Sequence, residues 1–431
     1  MRIKLNHKRI SLFLLCFIFF VFTIYIFIGN LLIPEEMYLL SGKKNTFDYN
    51  LPLKINISSD DNEILHVNGN ISANYQLDLK EPVVFESDKS GIVDLKLKIF
   101  GILPANVKVK ILPDVKLYPG GQLIGVKLET KGVIVVGLQE LLAVDDKKYN
   151  PGKEAELTVG DVIYKINNTE VNTAEEVTKI INGLTGKSIK LQIYRHGEKE
   201  TVKINPVQCK SDDQYRIGLW VRDNTAGIGT LSFYQPKTLK FGALGHAITD
   251  MTSNITIPVK EGSIVSSKVL SILPGQSGKP GEIRGVFYNE DKILGKLLNN
   301  TDYGVYGELT DDLKNELYNK PIEIGLQNEV EIGPAKILTT LNDKVEAFDI
   351  YIEKKNVQSR QSGKGLTIRI TDERLLEQTG GIIQGMSGSP IIQNEKLVGA
   401  VTHVFVNEPS KGYGVFIEWM LEEADIGFVE N

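Results

Sequence analysis

An uninterrupted apolar run, LFLLCFIFFVFTIYIFIGNLLI, occupies Leu12 to Ile33 and carries no charge. At about 1.5 Å per residue, a helix of that length crosses a hydrocarbon core of about 30 Å. No other stretch constrains the chain as strongly, because such a segment leaves water and divides the molecule between two compartments. Arg2, Lys4, Lys8 and Arg9 precede the run, so the basic flank should stay cytoplasmic and everything after Ile33 should be exported. A cleaved signal peptide is the alternative. Its apolar region is usually shorter and ends in a small-x-small site, and no such site follows directly. The expectation is an attached transmembrane anchor over residues 1–34 with an exported body.

That body is long enough for two or three domains within a chain of 431 residues. A hydrophobic fraction of 42% with 24% charged residues is ordinary for a folded globular protein. The net charge of −5 comes without a basic stripe, which argues against nucleic acid as a partner. There are two cysteines, Cys16 in the apolar run and Cys209, so disulfides do not staple the fold. Cys209 reads as a buried or incidental thiol rather than a catalytic one.

Alternating segments such as VDLKLKIF and NVKVKIL, with GILPAN between them, fill the region up to Pro113. Period-two alternation makes strands with one buried face, and Gly and Pro mark the turns. A linker followed by a small β module is expected over 35–113, its strands running from Tyr49 to Pro113. Next come LYPGGQLIGVKLETKGVIVVGL, then GDVIYKINNTEV, then a helix opening at Thr173 with Glu176 three residues on, then two closing strands. Thr173 and Glu176 fit a capping box. This order resembles a PDZ domain over 114–208. The resemblance implies an extended peptide added as a strand. Its chain terminus would be held by the loop amides of Gly120, Gly121, Leu123, Ile124, Gly125 and Val126. His196, in the RHGEKE turn, reads as a solvated hairpin residue.

From Tyr215 onward glycine is frequent and short strands alternate with tight turns, as in an all-β sandwich or barrel. Helices are expected at Leu309–Tyr318 and near Ile417–Ala424.

Amide hydrolysis by a serine needs an exposed Oγ, a neutral imidazole and paired N–H groups facing the oxyanion. Two histidines, His246 in GALGHAITD and His403 in VGAVTHVFV, lie in the carboxyl-terminal domain. His403 sits in an apolar alternating run, where a packed strand residue is the usual explanation. His246 follows a glycine bend in a more polar stretch. The segment GIIQGMSGSPIIQ sets a Gly-x-Ser-Gly turn between two apolar runs. It resembles the nucleophile loop of trypsin-like double-barrel proteases. By that resemblance Ser387 is the nucleophile and the amides of Gly385 and Ser387 form the oxyanion hole. Met386 and Ser389 depart from that loop's usual Asp and Gly.

GIGTLSFY, FGALGHAITD, LTIRITDERLL, GIIQGMSGSPIIQ and GAVTHVFVNEPSKGYGVFIEWM, with the anchor and the PDZ-like region, closely resemble the stage IV sporulation protein B peptidases of endospore-forming bacteria. The similarity spans almost the entire chain. It implies a mainly β protein with a trypsin-like β-barrel serine peptidase domain over 209–431 and a triad of His246, Asp372 and Ser387. It also implies export from the forespore into the space between two membranes, self-cleavage that releases the body, and cleavage of a membrane-bound inhibitor of an intramembrane metalloprotease. That metalloprotease then activates a late sigma factor. From the residues alone, Asp250 rivals Asp372, and Asp372 reads equally well as a helix cap before ERLLEQ. No cofactor or metal is expected, because HExxH is absent and the two histidines lack ligand spacing. The alternative function is an anchored, non-catalytic PDZ adaptor in which GMSGSP is only a turn.

Overall fold

The computed structural model describes residues 15–17 and 34–427, apart from 53, 60–63, 70–74, 100–102, 185 and 289–291. The apolar run therefore lies outside the described residues except for Leu15–Phe17, which are helical. Among the described residues no helix is long and apolar enough to cross a membrane.

The chain is mainly β. Its first sheet comprises β1 (Glu36–Leu40), β2 (Lys54–Ser59), β3 (Tyr75–Asp78), β4 (Gly91–Ile99) and β5 (Leu103–Leu112). Their spatial order is β1-β5-β4-β2-β3. The alternation seen in the sequence is real: Val93, Leu95, Val107 and Val109 are buried while Lys96 and Lys108 face out. The module starts earlier than Tyr49, because β1 joins the sheet parallel to β5, pairing Glu36 with Lys108 through Leu40 with Leu112.

The next region holds β6 (Leu123–Leu138), β7 (Val162–Ile166), α1 (Ala174–Gly183), β8 (Ile189–Arg195) and β9 (Glu198–Ile204). Helix α1 opens with the expected capping box: the Thr173 hydroxyl accepts from the Glu176 amide at 3.1 Å and the Glu176 carboxylate accepts from the Thr173 amide at 3.2 Å. Val177 and Ile181 turn inward onto Val135, Ile163 and Leu191.

The remaining strands begin with β10 (Leu219–Tyr234), β11 (Lys240–Ala243), β12 (Val259–Leu273), β13 (Glu282–Phe287), β14 (Ile293–Thr301) and β15 (Gly304–Leu309). The pairings run β6-β12-β14-β15-β11-β10 and return from β10 to β6, which closes a ring of six strands. A second closed barrel is built from β16 (Gly333–Leu341), β17 (Lys344–Lys355), β18 (Leu366–Ile370), β19 (Pro390–Gln393), β20 (Lys396–Val404) and β21 (Lys411–Phe416). Between β18 and β19 lies α2 (Glu373–Thr379), and α3 (Ile417–Glu423) follows β21. Ile337, Phe348, Ile368, Val401, Val415 and Trp419 fill the second barrel and are fully buried.

Two features depart from the expected layout. Leu309–Tyr318 is not a helix. The Asn315 side chain accepts from the amides of Leu317 and Tyr318 at 3.0 and 2.8 Å, which bends the chain locally, and it donates to the carbonyls of Pro119 and Gly120. The two neighbouring domains also interleave rather than meet at residue 208. Strands β6 and β10 are each 16 residues long and pair antiparallel from Leu123 with Thr230 to Leu138 with Leu219. One end of this ribbon completes the first ring. At the other end Ile217 is buried among Val135, Leu157 and Ile181, with Leu219 and Val221 packed against them.

The amino-terminal module docks on α3. Tyr38 meets Trp419 edge-on at 5.2 Å, and Lys110 bonds Glu36 at 2.7 Å and also Glu422, which in turn accepts from the Tyr38 hydroxyl.

Candidate active site

Ser387 lies on the loop between α2 and β19, where the two rings meet. Glycine is required there. Gly388 has φ of 94°, and a Cβ on it would collide with the Thr230 carbonyl and the Leu244 amide, so a side chain would push the rings apart. The loop is pinned from both sides. The Thr230 amide donates to the Ser387 carbonyl at 3.0 Å and the Thr230 hydroxyl to the Gly385 carbonyl at 2.7 Å. From the second barrel, the Gly388 amide donates to Val401 O at 2.8 Å. Met386, where an Asp would be usual, is fully buried and its amide donates to Ile383 O at 3.1 Å, so packing and a local turn hold the loop. Ser389 is fully buried as well, with a hydroxyl that has no partner among the described residues.

The amides on either side of Met386 behave differently from the rest of the loop. Among the described residues, neither the Gly385 nor the Ser387 N–H donates to a protein acceptor, whereas those of Gln384, Met386, Gly388 and Ser389 all do. Both residues are only half-buried, so these two N–H groups, one on each side of Met386, are open to an incoming acceptor.

His246 reaches the same seam from the first ring. Leu244 and Gly245 both have positive φ, 69° and 71°, and this bend lays Gly245 against Thr402. The His246 Nδ1 lies 2.8 Å from the Ala247 carbonyl. A carbonyl accepts only, so Nδ1 carries the hydrogen and Nε2 keeps its lone pair. Burial pushes the imidazole pKa down, partly countered by that carbonyl, so the ring is neutral at neutral pH. The Ser387 hydroxyl does not point at it here: it donates to Thr402 O at 3.0 Å. The hydroxyl is held by Thr402 and the imidazole lies beside the next residue, His403, with no hydrogen bond between hydroxyl and imidazole. Catalytic bonds of this type are often long until substrate binds.

Asp372 stands elsewhere. Its carboxylate caps α2 by accepting from the Arg374 amide at 3.0 Å, takes further bonds from the Arg374 guanidinium at 3.1 and 2.9 Å, and accepts from the Asp349 amide at 3.3 Å. The guanidinium holds its pKa below the usual carboxylate range. Thr367 pairs with Tyr413 and Tyr413 with His403, and Asp372 lies beyond the end of the Leu366–Ile370 strand. Asp372 thus forms the helix cap, and among the described residues its carboxylate makes no hydrogen bond with His246. Asp250 is also spoken for. It is buried against Arg222 and accepts from Thr252 N and Ser253 N at 2.9 and 2.8 Å.

His403 differs from its sequence reading. It is exposed, and its ring centroid lies 5.3 Å from that of His246. A register shift between Val401 and His403 in the β20–β21 pairing turns the side chain out of the barrel. Alternation alone could not have revealed that bulge.

The segment Gly120–Val126 does not form a free carboxylate cup. Gly120 and Gly121 donate to Ser232 O and Leu231 O at 2.9 and 2.8 Å, and Leu123 donates to the Thr340 hydroxyl at 3.1 Å. Leu123, Ile124, Gly125 and Val126 pair with β10, three of them with β12 as well, and the side chains of Leu123, Ile124 and Val126 are buried. The strand beside α1 comes instead from later in the chain. Tyr215 N donates to Asn182 Oδ1 at 2.9 Å near the end of α1, and Ala174 N to Asp223 Oδ2 at 2.8 Å at its start. The sequence signal was RIGLW, in which Gly218 has φ of 67°.

Other candidates fall as follows. His196 is exposed in its hairpin, Cys209 is buried with its thiol pKa pushed up by burial, and His7 lies outside the described residues. Among the described residues no cluster of His, Cys, Asp or Glu is placed to hold a metal ion. A cleft of about 640 Å³ opens beside the loop, lined by Gly227, Ile228, Glu282, Arg284, Phe287 and Gly385 among others.

Residues 213–421 match the family model SpoIVB peptidase S55, and residues 122–205 match the PDZ domain model. The chain carries a SpoIVB-type S55 serine peptidase domain and a PDZ domain. The S55 match covers His246, Asp372, Ser387 and His403, so both the loop and its imidazole neighbours belong to the peptidase domain. LL2128, a Lactococcus lactis protein described as a zinc metalloprotease, is 33% identical over 107 residues, spanning 24% of this chain and 24% of that protein's length. Among solved structures, the active form of the Rv3671c protease of M. tuberculosis aligns at 13% identity and a TM-score of 0.28, covering 48% of this chain and 78% of that one. The PDZ domain of the SdrC-like protein of Listeria monocytogenes aligns at 21% identity and a TM-score of 0.17, covering 21% and 87%.

Proposed function

We propose that this serine peptidase is an endopeptidase of sporulation, anchored in the forespore membrane with its body exported. In this reading it cleaves itself free and then cuts a membrane-bound inhibitor of an intramembrane metalloprotease. The catalytic part is supported by a loop whose Gly385 and Ser387 amides meet no protein acceptor among the described residues, and by a neutral His246 whose ring lies 5.3 Å from that of His403, the residue after the carbonyl that holds the Ser387 hydroxyl. His246 Nε2 takes the Ser387 proton as Oγ attacks the peptide carbonyl, and the resulting oxyanion sits on the two amides. The same Nε2–H then protonates the leaving amine as the C–N bond breaks, and water repeats the sequence to release the acid. Substrate lies in the cleft that starts at Gly385. The PDZ domain docks its peptide on Leu219–Asp223 beside α1, in place of Gly120–Val126.

The biological role follows from the resemblance in the catalytic segments and from the apolar run ahead of the body. The test is full-length protein in vesicles, mixed with the exported part of a candidate inhibitor, beside a Ser387→Ala control. Wild type should cut the inhibitor and release a body whose new amino terminus lies between the apolar run and the PDZ domain. A body that always retains Met1, with the inhibitor intact, rejects the signalling role. Fluorophosphonate labelling that persists in Ser387→Ala rejects the nucleophile assignment.

A further inference from the structure

We infer that His403 is a positioning residue for His246, walling one face of the catalytic imidazole. The inference rests on the reading of His246 as the general base and asks what holds that base in place. Among the described residues no carboxylate hydrogen-bonds to it. Nδ1 is held by a backbone carbonyl, and both Asp250 and Asp372 are bonded elsewhere. What does lie against the ring is a second imidazole, 5.3 Å away centre to centre and inclined at 40°.

Three independent features aim His403 there. It directly follows Thr402, whose carbonyl holds the Ser387 hydroxyl, so His403 is fixed relative to the nucleophile by a single peptide unit. The bulge after Val401 rotates it out of an otherwise inward-facing run. Its cross-strand partner Tyr413 lies beneath the Lys364 ammonium, 5.2 Å from the ring centre, which sets a cation near its outer side. The groups acting on His403 are burial, His246 and Lys364, all of which disfavour a charge on it, and no acidic group is among them. The second ring therefore stays neutral while His246 charges during acylation. A neutral aromatic face beside a developing imidazolium is attractive, because the ring quadrupole favours a cation. The same face excludes water from one side of the base.

This account requires a flat ring at position 403, not a titrating one. The experiment is fluorophosphonate labelling of full-length protein in detergent, followed as a rate against pH, for wild type, His403→Phe, His403→Ala and Ser387→Ala. We expect His403→Ala to label about tenfold more slowly, with its acid limb moved up toward the ordinary imidazole value of about 6.5 as water reaches the ring. His403→Phe should restore most of the rate and the lower limb. The inference is overturned if His403→Ala matches wild type in rate and pH profile, or if His403→Phe is as slow as His403→Ala. Thermal midpoints measured in parallel separate a lost wall from a lost fold. Labelling that survives in Ser387→Ala would instead remove the nucleophile on which the inference stands.

Discussion

The corner around Asp372 and the corner around Ser387 are both built from polar residues at the rim of the same barrel, yet they are wired in opposite ways. Each bond to the Asp372 carboxylate from its own helix comes from two residues away, and both oxygens are taken. The Ser387 loop is held from its own barrel and also by Thr230, 155 positions away in the first ring, and among the described residues its Gly385 and Ser387 amides and the His246 Nε2 have no protein partners. Local saturation is what a helix end needs. Long-range clamping with open valences is what a reacting site needs, because those valences are reserved for the transition state.

The largest test of this contrast is Ser387→Ala, for which turnover should fall by a factor on the order of 10⁶ with the melting temperature nearly unchanged. Thr230→Val comes next. It removes the hydroxyl bond to the half-buried Gly385 carbonyl, worth about 0.5–1.5 kcal/mol, so the loop loosens and peptide turnover should drop by roughly two- to tenfold. Asp372→Asn should lose far less than the factor of about 10⁴ expected when an orienting acid is removed. A loss of that size would mean the two corners meet during turnover. Asp372→Ala should instead cost about 1 kcal/mol of stability in urea melts, through the lost cap.

The smallest effect is in pH. Desolvation on the side packed against His246, with the charges of His246 and Lys364, lowers the His403 pKa to about 4 from the unfolded value of about 6.5, and solvent on its exposed side weakens the effect. Between those values the unfolded chain binds a proton that the folded chain refuses, so this residue destabilises the fold as pH drops through the window. His403→Phe should flatten the stability profile between pH 6.5 and 4 relative to wild type.

Much of this was legible beforehand. Alternation located the strands of the amino-terminal sheet, Thr173 and Glu176 announced α1, and GMSGSP marked the tight loop, because each is a local signal that the backbone obeys. The remainder depends on partners remote in sequence. Gly120–Val126 has the look of a peptide-binding loop until β10 occupies its amides, and RIGLW looks like a barrel strand until α1 packs beside it. His403 sits in a run that reads as core, and only a one-residue bulge turns it outward. Leu309–Tyr318 has helical composition, but Asn315 diverts the backbone to Pro119 and Gly120.

The ribbon of β6 and β10 joins the PDZ domain to the peptidase domain with no linker between them. Leu219 lies beside α1, and eleven positions later in the same strand Thr230 grips the Ser387 loop. A strand cannot creep by one position without turning every side chain to the wrong face. The two modules are therefore joined by shared strands, not by a tether, and any swing of one against the other falls on the stretch between Glu129 and Ile134, where the rungs to β10 are already interrupted.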